Sequence, residues 1–201
     1  MFLAVQKLPD QYGGDVRSRI AQNQTGAALK TLILGGVRSG KSRLAERLAT
    51  ESALCVTYIA TATAGDDEMR VRIEGHRARR PVHWSLVEEP IRLAASLYAQ
   101  AAPNRCLIVD CLTLWLTNLL TASDRVLFEH ERSALLKVLP ELTGRIILVS
   151  NETNMGVVPM TDLSRRYCDE AGRLHQTLAQ LCDHVVLTVA GLPHVLKGET
   201  L

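Results

Sequence analysis

The segment from Gly35 to Ser42 has the residue types and spacing of a phosphate-binding loop. It reads GGVRSGKS and fits the pattern G-x-x-x-x-G-K-[ST]. It follows the apolar run 31–34 and precedes a helical pattern over 41–52, which is the context that the motif requires. Glycines let the backbone N–H groups turn toward phosphate oxygens, and the positive end of the helix dipole adds to the attraction. The motif therefore predicts a nucleoside triphosphate site.

Two side chains of this loop have a chemical role in that interpretation. Lys41 is expected to reach the β- and γ-phosphates, and the hydroxyl of Ser42 is expected to ligate Mg²⁺. We expect Lys41 to lie at an exposed helix start rather than in the core. The alternative is a chance glycine turn at a junction between a strand and a helix.

A carboxylate that could help to hold the metal follows the apolar run CLIVD. Asp110 ends this run, and phosphate-loop enzymes place an acidic residue at the end of a neighbouring strand. The alternative is that Asp110 caps the helix that begins near Leu112, because Asp is a favoured N-cap residue.

A histidine among arginines marks a second candidate site. Residues 70–80 contain five arginines together with His76. The pattern predicts a helix over 67–80, on which His76 shares a face with Arg72 and Arg80. Neighbouring cations disfavour imidazolium, and a neutral imidazole is a nucleophile suited to a phosphate target. The alternative is a structural histidine beside a solvated arginine surface.

The elements that must position these residues alternate between short apolar runs and longer helical patterns. The predicted strands cover 31–34, 55–61, 106–110, 145–150 and 184–190, and the predicted helices cover 41–52, 67–80, 89–101, 112–122, 127–139 and 162–182. The strands are β-branched without polar alternation, which is typical of strands buried on both faces of a parallel sheet. The sequence therefore predicts an α/β fold of the P-loop NTPase-like type, with a doubly wound, mostly parallel sheet and helices on both faces.

Length, charge and composition narrow the class of protein. The chain has 201 residues with 47% hydrophobic side chains, which is enough for one domain. We interpret residues 1–30 as a poorly ordered N-terminal extension and residues 31–201 as a single nucleotide-binding catalytic domain. A net charge of +2 argues against a generic nucleic-acid binder. Five cysteines without a C-x-x-C pair and no long apolar span favour a soluble, cytoplasmic protein.

The sequence lacks the guanine-recognition motif of signalling GTPases. None of the five lysines follows an Asn, so there is no N-K-x-D element to read guanine as in signalling GTPases. The length instead suits a small kinase that phosphorylates a metabolite. Two alternatives stay open: a kinase in which His76 only positions phosphate, and a regulatory module that senses GTP without turnover.

Four blocks in order carry a more specific resemblance. They are LGGVRSGKSRLAE, YIATATAGDDEM with the following RRPVHW, LIVDCLTLWLTNLL and VSNETNMGVVP. From about Thr31 to the C-terminus the chain resembles the bifunctional adenosylcobinamide kinase and adenosylcobinamide-phosphate guanylyltransferase family of cobalamin biosynthesis.

The resemblance implies two reactions on one scaffold. The γ-phosphate of ATP or GTP passes to the aminopropanol hydroxyl of adenosylcobinamide. A histidine, His76 by motif position, then attacks the α-phosphate of GTP and forms a GMP-histidine intermediate, which the cobinamide phosphate displaces. The resemblance also implies Mg²⁺ and a homo-oligomer, expected to be a trimer. The implied nucleotide-binding residues are Gly35, Gly36, Val37, Arg38, Ser39, Gly40, Lys41, Ser42, Ala60, Thr61, Ala62, Arg77, Ala78, Arg79, Arg80, Glu88 and Asp110, with Ser42 and Asp110 on the metal.

The remaining polar and aromatic residues are less specific. Asn151, Glu152 and Asn154 follow the strand pattern 145–150, where they could contact a ligand or form a polar capped turn. Trp84 and Trp115 are interpreted as core or subunit contacts. No local constellation surrounds the other histidines, and none is assigned a role: His83, His130, His175, His184 and His194.

Overall fold

The computed structural model describes residues 28–63, 67, 75, 80–122 and 124–199. In this part of the chain the strands are β1 (Leu29–Gly35), β2 (Cys55–Ala60), β3 (Ser85–Glu88), β4 (Arg105–Asp110), β5 (Arg145–Val149), β6 (His184–Val189) and β7 (Leu192–Lys197). The helices are α1 (Lys41–Glu51), α2 (Leu93–Gln100), α3 (Leu112–Thr121), α4 (Arg125–Val138), a short 3-10 turn (Leu139–Glu141) and α5 (Asp162–Leu181).

The strands form one sheet in the order β3-β2-β4-β5-β1-β6-β7. Every neighbouring pair is parallel except β6 with β7, which is antiparallel. Parallel strands need helical crossovers that cover the sheet. The predicted doubly wound, mostly parallel α/β fold is therefore confirmed.

Alternating side chains of the central strands pack into two hydrophobic cores, one on each face of the sheet. Leu32 and Leu34 of β1 pack with α2, α3, α4 and α5 on one face, whereas Ile33 packs with α1 on the other. The same alternation along β4 sends Leu107 to the first core and Ile108 to the second. Burial on both faces explains why these strands lack polar residues.

Local caps decide where the helices begin. The Asp124 carboxylate accepts hydrogen bonds from the N–H groups of Val126 and Leu127 at the start of α4, and the Thr161 hydroxyl accepts one from Ser164 at the start of α5. The prediction of a helix over 89–101 is wrong at its start. The Glu89 carboxylate accepts hydrogen bonds from the N–H groups of Ile91 and Arg92, so this turn precedes the helix.

Two strands, which lie at the edges of the sheet, were not predicted from the sequence. β3 and β7 are largely exposed, so they lack the continuous apolar run of a central strand. β1 also begins at Leu29, two residues before the predicted strand. Of the predicted helix over 67–80, only Asp67, Gly75 and Arg80 are described: the first two are helical and Arg80 lies in a bend. No helix in the described ranges has the length and apolar character needed to cross a bilayer.

Candidate nucleotide-binding and phosphoryl-transfer site

The carboxyl ends of the parallel strands bring several predicted site residues to one edge of the sheet. Ala60 lies opposite Glu88 on one side and opposite Asp110 on the other. Gly35 ends β1, two strands from β4 with β5 between them. Ligands of open α/β sheets bind at this edge, so the loop after β1 and Asp110 after β4 can face one ligand.

Two glycines fix the shape of the loop between β1 and α1. A Cβ atom at Gly35 would lie 2.4 Å from the carbonyl oxygen of Thr188, so no other residue fits there without a shift. Gly40 has a φ of 101°, a conformation that glycine adopts at little cost. No side chain caps the N-terminus of α1, and its first turn contains no acidic residue. The helix dipole is therefore available to a phosphate group.

Strand β6 supports this loop from the side. The hydroxyl groups of Ser39 and Thr188 lie 2.9 Å apart, and Thr188 donates a hydrogen bond to the carbonyl oxygen of Leu34. The N–H of Gly191, in the turn between β6 and β7, donates to the carbonyl oxygen of Ser39. Sequence reasoning missed Thr188 and Gly191, since neither belongs to a motif and only the strand order places them beside the loop.

Lys41 closes over the loop that it follows. Its ammonium group donates a hydrogen bond of 2.6 Å to the carbonyl oxygen of Gly36. Only 7% of the residue is exposed, so the expectation of an exposed helix start is wrong: the loop backbone wraps around the side chain. Burial lowers the pKa of Lys41, while the negative charge of Asp110 acts in the opposite direction. A partly desolvated ammonium group at the phosphate loop is well placed to bind phosphate oxygens.

Asp110 accepts a hydrogen bond rather than capping a helix. The Tyr58 hydroxyl donates to Asp110 Oδ2 over 2.7 Å. Cys111, and not Asp110, occupies the N-cap position of α3, and no side chain caps that helix. The alternative interpretation of Asp110 as an N-cap is therefore wrong, and the carboxylate remains at the edge of the sheet.

Thr61 and Asn118 hold the backbone next to Asp110. The fully buried hydroxyl of Thr61 donates to the carbonyl oxygen of Cys111 and accepts from the N–H of Cys111. The Asn118 side-chain amide donates to the carbonyl oxygens of Thr61 and Pro90. Ala60 is paired with Asp110, and Thr61 holds the backbone of the following residue, Cys111.

A second polar cluster lies at the end of β5. His175 Nε2 lies 2.8 Å from Ser150 Oγ, and the Thr113 hydroxyl accepts a hydrogen bond from the N–H of Asn151. The N–H of Glu152 donates to the carbonyl oxygen of Gly35, which joins the cluster to the phosphate loop. His175 therefore does have a constellation, contrary to the sequence analysis, because α5 brings it to residues that lie 25 positions away.

Burial disfavours the charged form of the histidine in this cluster. His175 is 7% exposed, and burial lowers its pKa, while the Glu152 charge acts in the opposite direction. Its Nδ1 lies 3.8 Å from Glu152 Oε2, which is too far for a hydrogen bond. The Glu152 carboxylate instead accepts from the N–H of Asn154, whose side chain donates to the carbonyl oxygen of Cys168. These contacts favour the capped-turn interpretation of Glu152 and Asn154.

The donor set at the edge of the sheet fits a magnesium ion. Ser42 and Asp110 offer a hydroxyl and a carboxylate, and Mg²⁺ prefers such hard oxygen ligands. Within the described part of the chain no group of three or more His, Cys, Asp or Glu side chains could hold a metal ion by itself. Mg²⁺ is usually held by one or two protein groups together with substrate phosphates and waters.

The second candidate site lies mostly outside the described residues. The residues outside the described ranges include His76, Arg77, Ala78 and Arg79, so the roles predicted for them stay predictions. Arg80 is described, and its guanidinium carbon lies 4.1 Å from the centre of the Tyr58 ring. Glu88, the last residue of β3, is exposed at the same edge of the sheet as Asp110.

In P-loop NTPases a strand of a parallel sheet enters a glycine loop closed by a lysine, and another strand of the same sheet ends in a carboxylate. The described residues have this arrangement, with one strand between the two. The chain belongs more narrowly to the cobinamide kinase / cobinamide phosphate guanyltransferase family, CobU, whose sequence profile matches residues 31–196. The resemblance seen in the sequence is confirmed.

Two curated relatives span the same region. The bifunctional adenosylcobalamin biosynthesis protein CobP of Pseudomonas aeruginosa is 65% identical over 173 residues, covering 86% of this chain and all of that protein. The CobU protein of Escherichia coli is 38% identical over 180 residues, covering 83% of this chain and 98% of that protein. A flagellar accessory protein, FlaH of Methanocaldococcus jannaschii, has a crystal structure that matches with a TM-score of 0.51 at 14% identity, over 94% of this chain and 87% of that one. That likeness concerns the fold alone.

Proposed function

We propose that the protein phosphorylates adenosylcobinamide and then transfers GMP from GTP to the product, giving adenosylcobinamide-GDP. The observation that carries this proposal is a phosphate loop closed on Lys41 in a chain whose match to the bifunctional family runs from residue 31 to residue 196. The substrates are then adenosylcobinamide and a nucleoside triphosphate, either ATP or GTP.

In the first step a hydroxyl oxygen of adenosylcobinamide bonds to the γ-phosphorus, and the bond from that phosphorus to the bridging oxygen breaks. The backbone N–H groups of residues 35–42 hold the phosphates, and Lys41 offsets the charge of the transferred group. Ser42 and Asp110 would hold Mg²⁺, which supplies further charge neutralisation when bound with the triphosphate. Nucleoside diphosphate leaves with the electrons of the broken P–O bond, and the proton of the attacking hydroxyl passes to solvent.

In the second step His76 is the nucleophile. A ring nitrogen bonds to the α-phosphorus of GTP, pyrophosphate leaves with the electrons of the broken P–O bond, and GMP remains on the histidine. An oxygen of the cobinamide phosphate then displaces the histidine from the same phosphorus. Arg77, Arg79 and Arg80 would offset the negative charge on the phosphate oxygens. The role of His76 is supported by the arginines around it in the sequence and by the family to which the chain belongs. His76 itself lies outside the described residues.

The assembly and the location of the protein are also proposals. We expect a ring-like homo-oligomer, a trimer, with the region 31–201 as its catalytic domain and residues 1–30 as an extension. The loop before α5 supports a subunit contact, since Met155, Val157, Val158 and Met160 are at least 74% exposed, and such patches mark interaction surfaces. Light scattering should give about three times the chain mass of 22.1 kDa. We expect the enzyme in the cytoplasm.

Labelled GTP tests the transferase step directly. With Mg²⁺ present, GTP labelled at the α-phosphate should leave label on the protein, whereas GTP labelled at the γ-phosphate should leave none. The adduct should be lost in acid and survive in base, as expected for a P–N bond. His76→Asn should abolish labelling, because asparagine keeps the polarity but not the nucleophile.

The exposed His83 provides the matched control, and His83→Asn should label like the wild type. If His76→Asn still takes up α-label, another residue is the nucleophile. If the wild type takes up none, the transferase assignment fails and a simple kinase becomes the better description.

A further inference from the structure

The segment that follows β5 continues alongside the start of the phosphate loop. The N–H of Ser150 donates to the carbonyl oxygen of Ile33 over 2.9 Å. The N–H of Glu152 donates to the carbonyl oxygen of Gly35 over the same distance. These bonds extend the parallel pairing of β5 with β1 past the end of β5. The chain is therefore extended here, and Asn151 lies beside the strand that leads into the loop.

Side chains of an extended segment point alternately to the two faces of the sheet. Ser150 Oγ lies 2.8 Å from His175 Nε2, and Glu152 Oε2 lies 3.8 Å from His175 Nδ1. Both side chains therefore point to the face that α5 covers. Asn151, between them, points to the opposite face, on which Val149 packs with α1.

The phosphate-binding lysine and the candidate metal ligand belong to the same face. Lys41 begins α1, which packs on this face. Asp110 accepts a hydrogen bond from Tyr58, which packs into the core on this face. In the sheet, β5 lies between β1, which leads to the loop, and β4, which ends in Asp110. The alternation thus places the Asn151 side chain between the phosphate loop and Asp110.

The backbone of Asn151 is held in place, while its side-chain amide is available to a ligand. Its N–H donates to the Thr113 hydroxyl over 2.7 Å, and the residues on either side are bonded to β1. The residue is half-buried, and no described residue forms a hydrogen bond with its side chain. An amide donates through its nitrogen to a phosphate oxygen, and an ordered backbone reduces the entropy that is lost on binding.

The position of the amide indicates which phosphate it meets. The N–H groups of a phosphate loop hold the α- and β-phosphates, whereas its lysine and the metal reach the γ-phosphate. We propose that the side-chain amide of Asn151 binds the γ-phosphate and so distinguishes a nucleoside triphosphate from a diphosphate. This inference rests on the proposed function, since it assumes that the loop binds the phosphoryl donor.

Binding of a matched triphosphate and diphosphate tests this contact without turnover. The ligands are GTP and GDP in which a methylene group replaces the oxygen between the α- and β-phosphates, with Mg²⁺ and without corrinoid. The methylene bridge prevents cleavage at the α-phosphorus, and no acceptor for the γ-phosphate is present. Asn151→Ala should weaken binding of the triphosphate about ten- to a hundredfold, the value of a hydrogen bond to a charged group. Binding of the diphosphate should stay unchanged.

A second substitution keeps the size of the side chain. Asn151→Asp replaces the amide donor by a carboxylate, whose negative charge repels the γ-phosphate. The triphosphate should therefore bind more weakly to Asn151→Asp than to Asn151→Ala. Triphosphate binding to Asn151→Asp as tight as in the wild type would overturn the proposal, because the side chain would then not face the γ-phosphate.

The controls distinguish this inference from the proposed function. Asn104 is exposed in the turn before β4, and Asn104→Ala should bind both ligands like the wild type. If the wild type binds neither ligand, the proposed function fails. If the wild type binds both, but Asn151→Ala loses affinity for both alike or for neither, the inference about Asn151 is wrong and the proposed function stands.

Discussion

Two polar clusters lie beside the phosphate loop, and they differ in the charged groups that they contain. The carboxylate cluster consists of Lys41, Asp110 and Tyr58, and it contains an ammonium group and a carboxylate at the edge of the sheet. The histidine cluster consists of Thr113, Ser150, Glu152 and His175, in which a buried imidazole contacts a buried hydroxyl.

The difference indicates that one cluster serves the chemistry and the other supports the structure. Charges near reacting phosphates stabilise charge that develops in the transition state, so the carboxylate cluster is suited to chemistry. The buried imidazole and hydroxyl groups of the histidine cluster instead form hydrogen bonds that specify one arrangement of the backbone. The histidine cluster joins α5, β5 and the carbonyl oxygen of Gly35, so we infer that it holds the loop in place.

The largest expected effect comes from breaking the carboxylate cluster. Lys41→Ala removes the ammonium group that closes the loop, and both phosphoryl transfer and α-labelling of His76 should fall at least about a hundredfold. Thermal unfolding should show an intact fold. Lys137, in the last turn of α4, gives the control, and Lys137→Ala should retain both activities. Unchanged nucleotide affinity and turnover in Lys41→Ala would mean that the loop does not bind the triphosphate.

The contrast between the clusters also shows what a sequence can predict. The phosphate loop could be predicted because it has a local motif, and Asp110 could be predicted because it ends an apolar strand pattern. His175 was not found, because its partner Ser150 follows β5, 25 positions earlier in the chain, and the two meet only in the folded protein. Thr188 was missed for the same reason: its contact with Ser39 spans 149 positions.

The edge strands were missed for a different reason. β3 and β7 are stabilised by backbone pairing with β2 and β6, and their exposed side chains carry no periodic apolar signal. Glu88 could be placed in the site by family resemblance, but its position next to Ala60 follows only from the register of β3. The fold class is thus readable from the central strands, whereas tertiary partners are not.

A smaller effect should come from the histidine cluster, and it should concern stability more than rate. His175→Ala leaves Ser150 without its 2.8 Å partner, which should lower the free energy of unfolding by about 1–3 kcal/mol. Both activities should stay within a few-fold of the wild type at temperatures where the variant is folded. Urea unfolding and rate measurements on the same preparation would show this.

The exposed His194 of β7 is the matched position, and His194→Ala should change the free energy of unfolding by no more than about 0.5 kcal/mol. The opposite result for His175→Ala would contradict the different roles inferred for the two clusters. That result is a rate loss as large as that of Lys41→Ala with unchanged stability. The histidine cluster would then take part in the chemistry.

The smallest effect is the pH dependence that His175 gives to stability. Burial lowers the pKa of His175 in the folded protein, whereas in the unfolded chain it lies near the reference value of about 6.5. As the pH falls through about 6.5, the unfolded state binds a proton that the folded state does not yet bind. The free energy of unfolding must therefore fall with pH in that window, and the loss stops once the pH is below the folded pKa.

His175→Asn isolates this contribution, because asparagine can still contact Ser150 but does not titrate. Urea unfolding of both proteins between pH 8 and pH 5 should show the wild-type free energy of unfolding falling relative to that of His175→Asn as the pH drops. Glu152, 3.8 Å from Nδ1, reduces the loss because its negative charge favours the imidazolium. A difference that stays constant with pH would show that His175 titrates alike in both states. A relative gain of the wild type at low pH would mean that Glu152 outweighs burial, and the histidine cluster would then be a charged site like its neighbour.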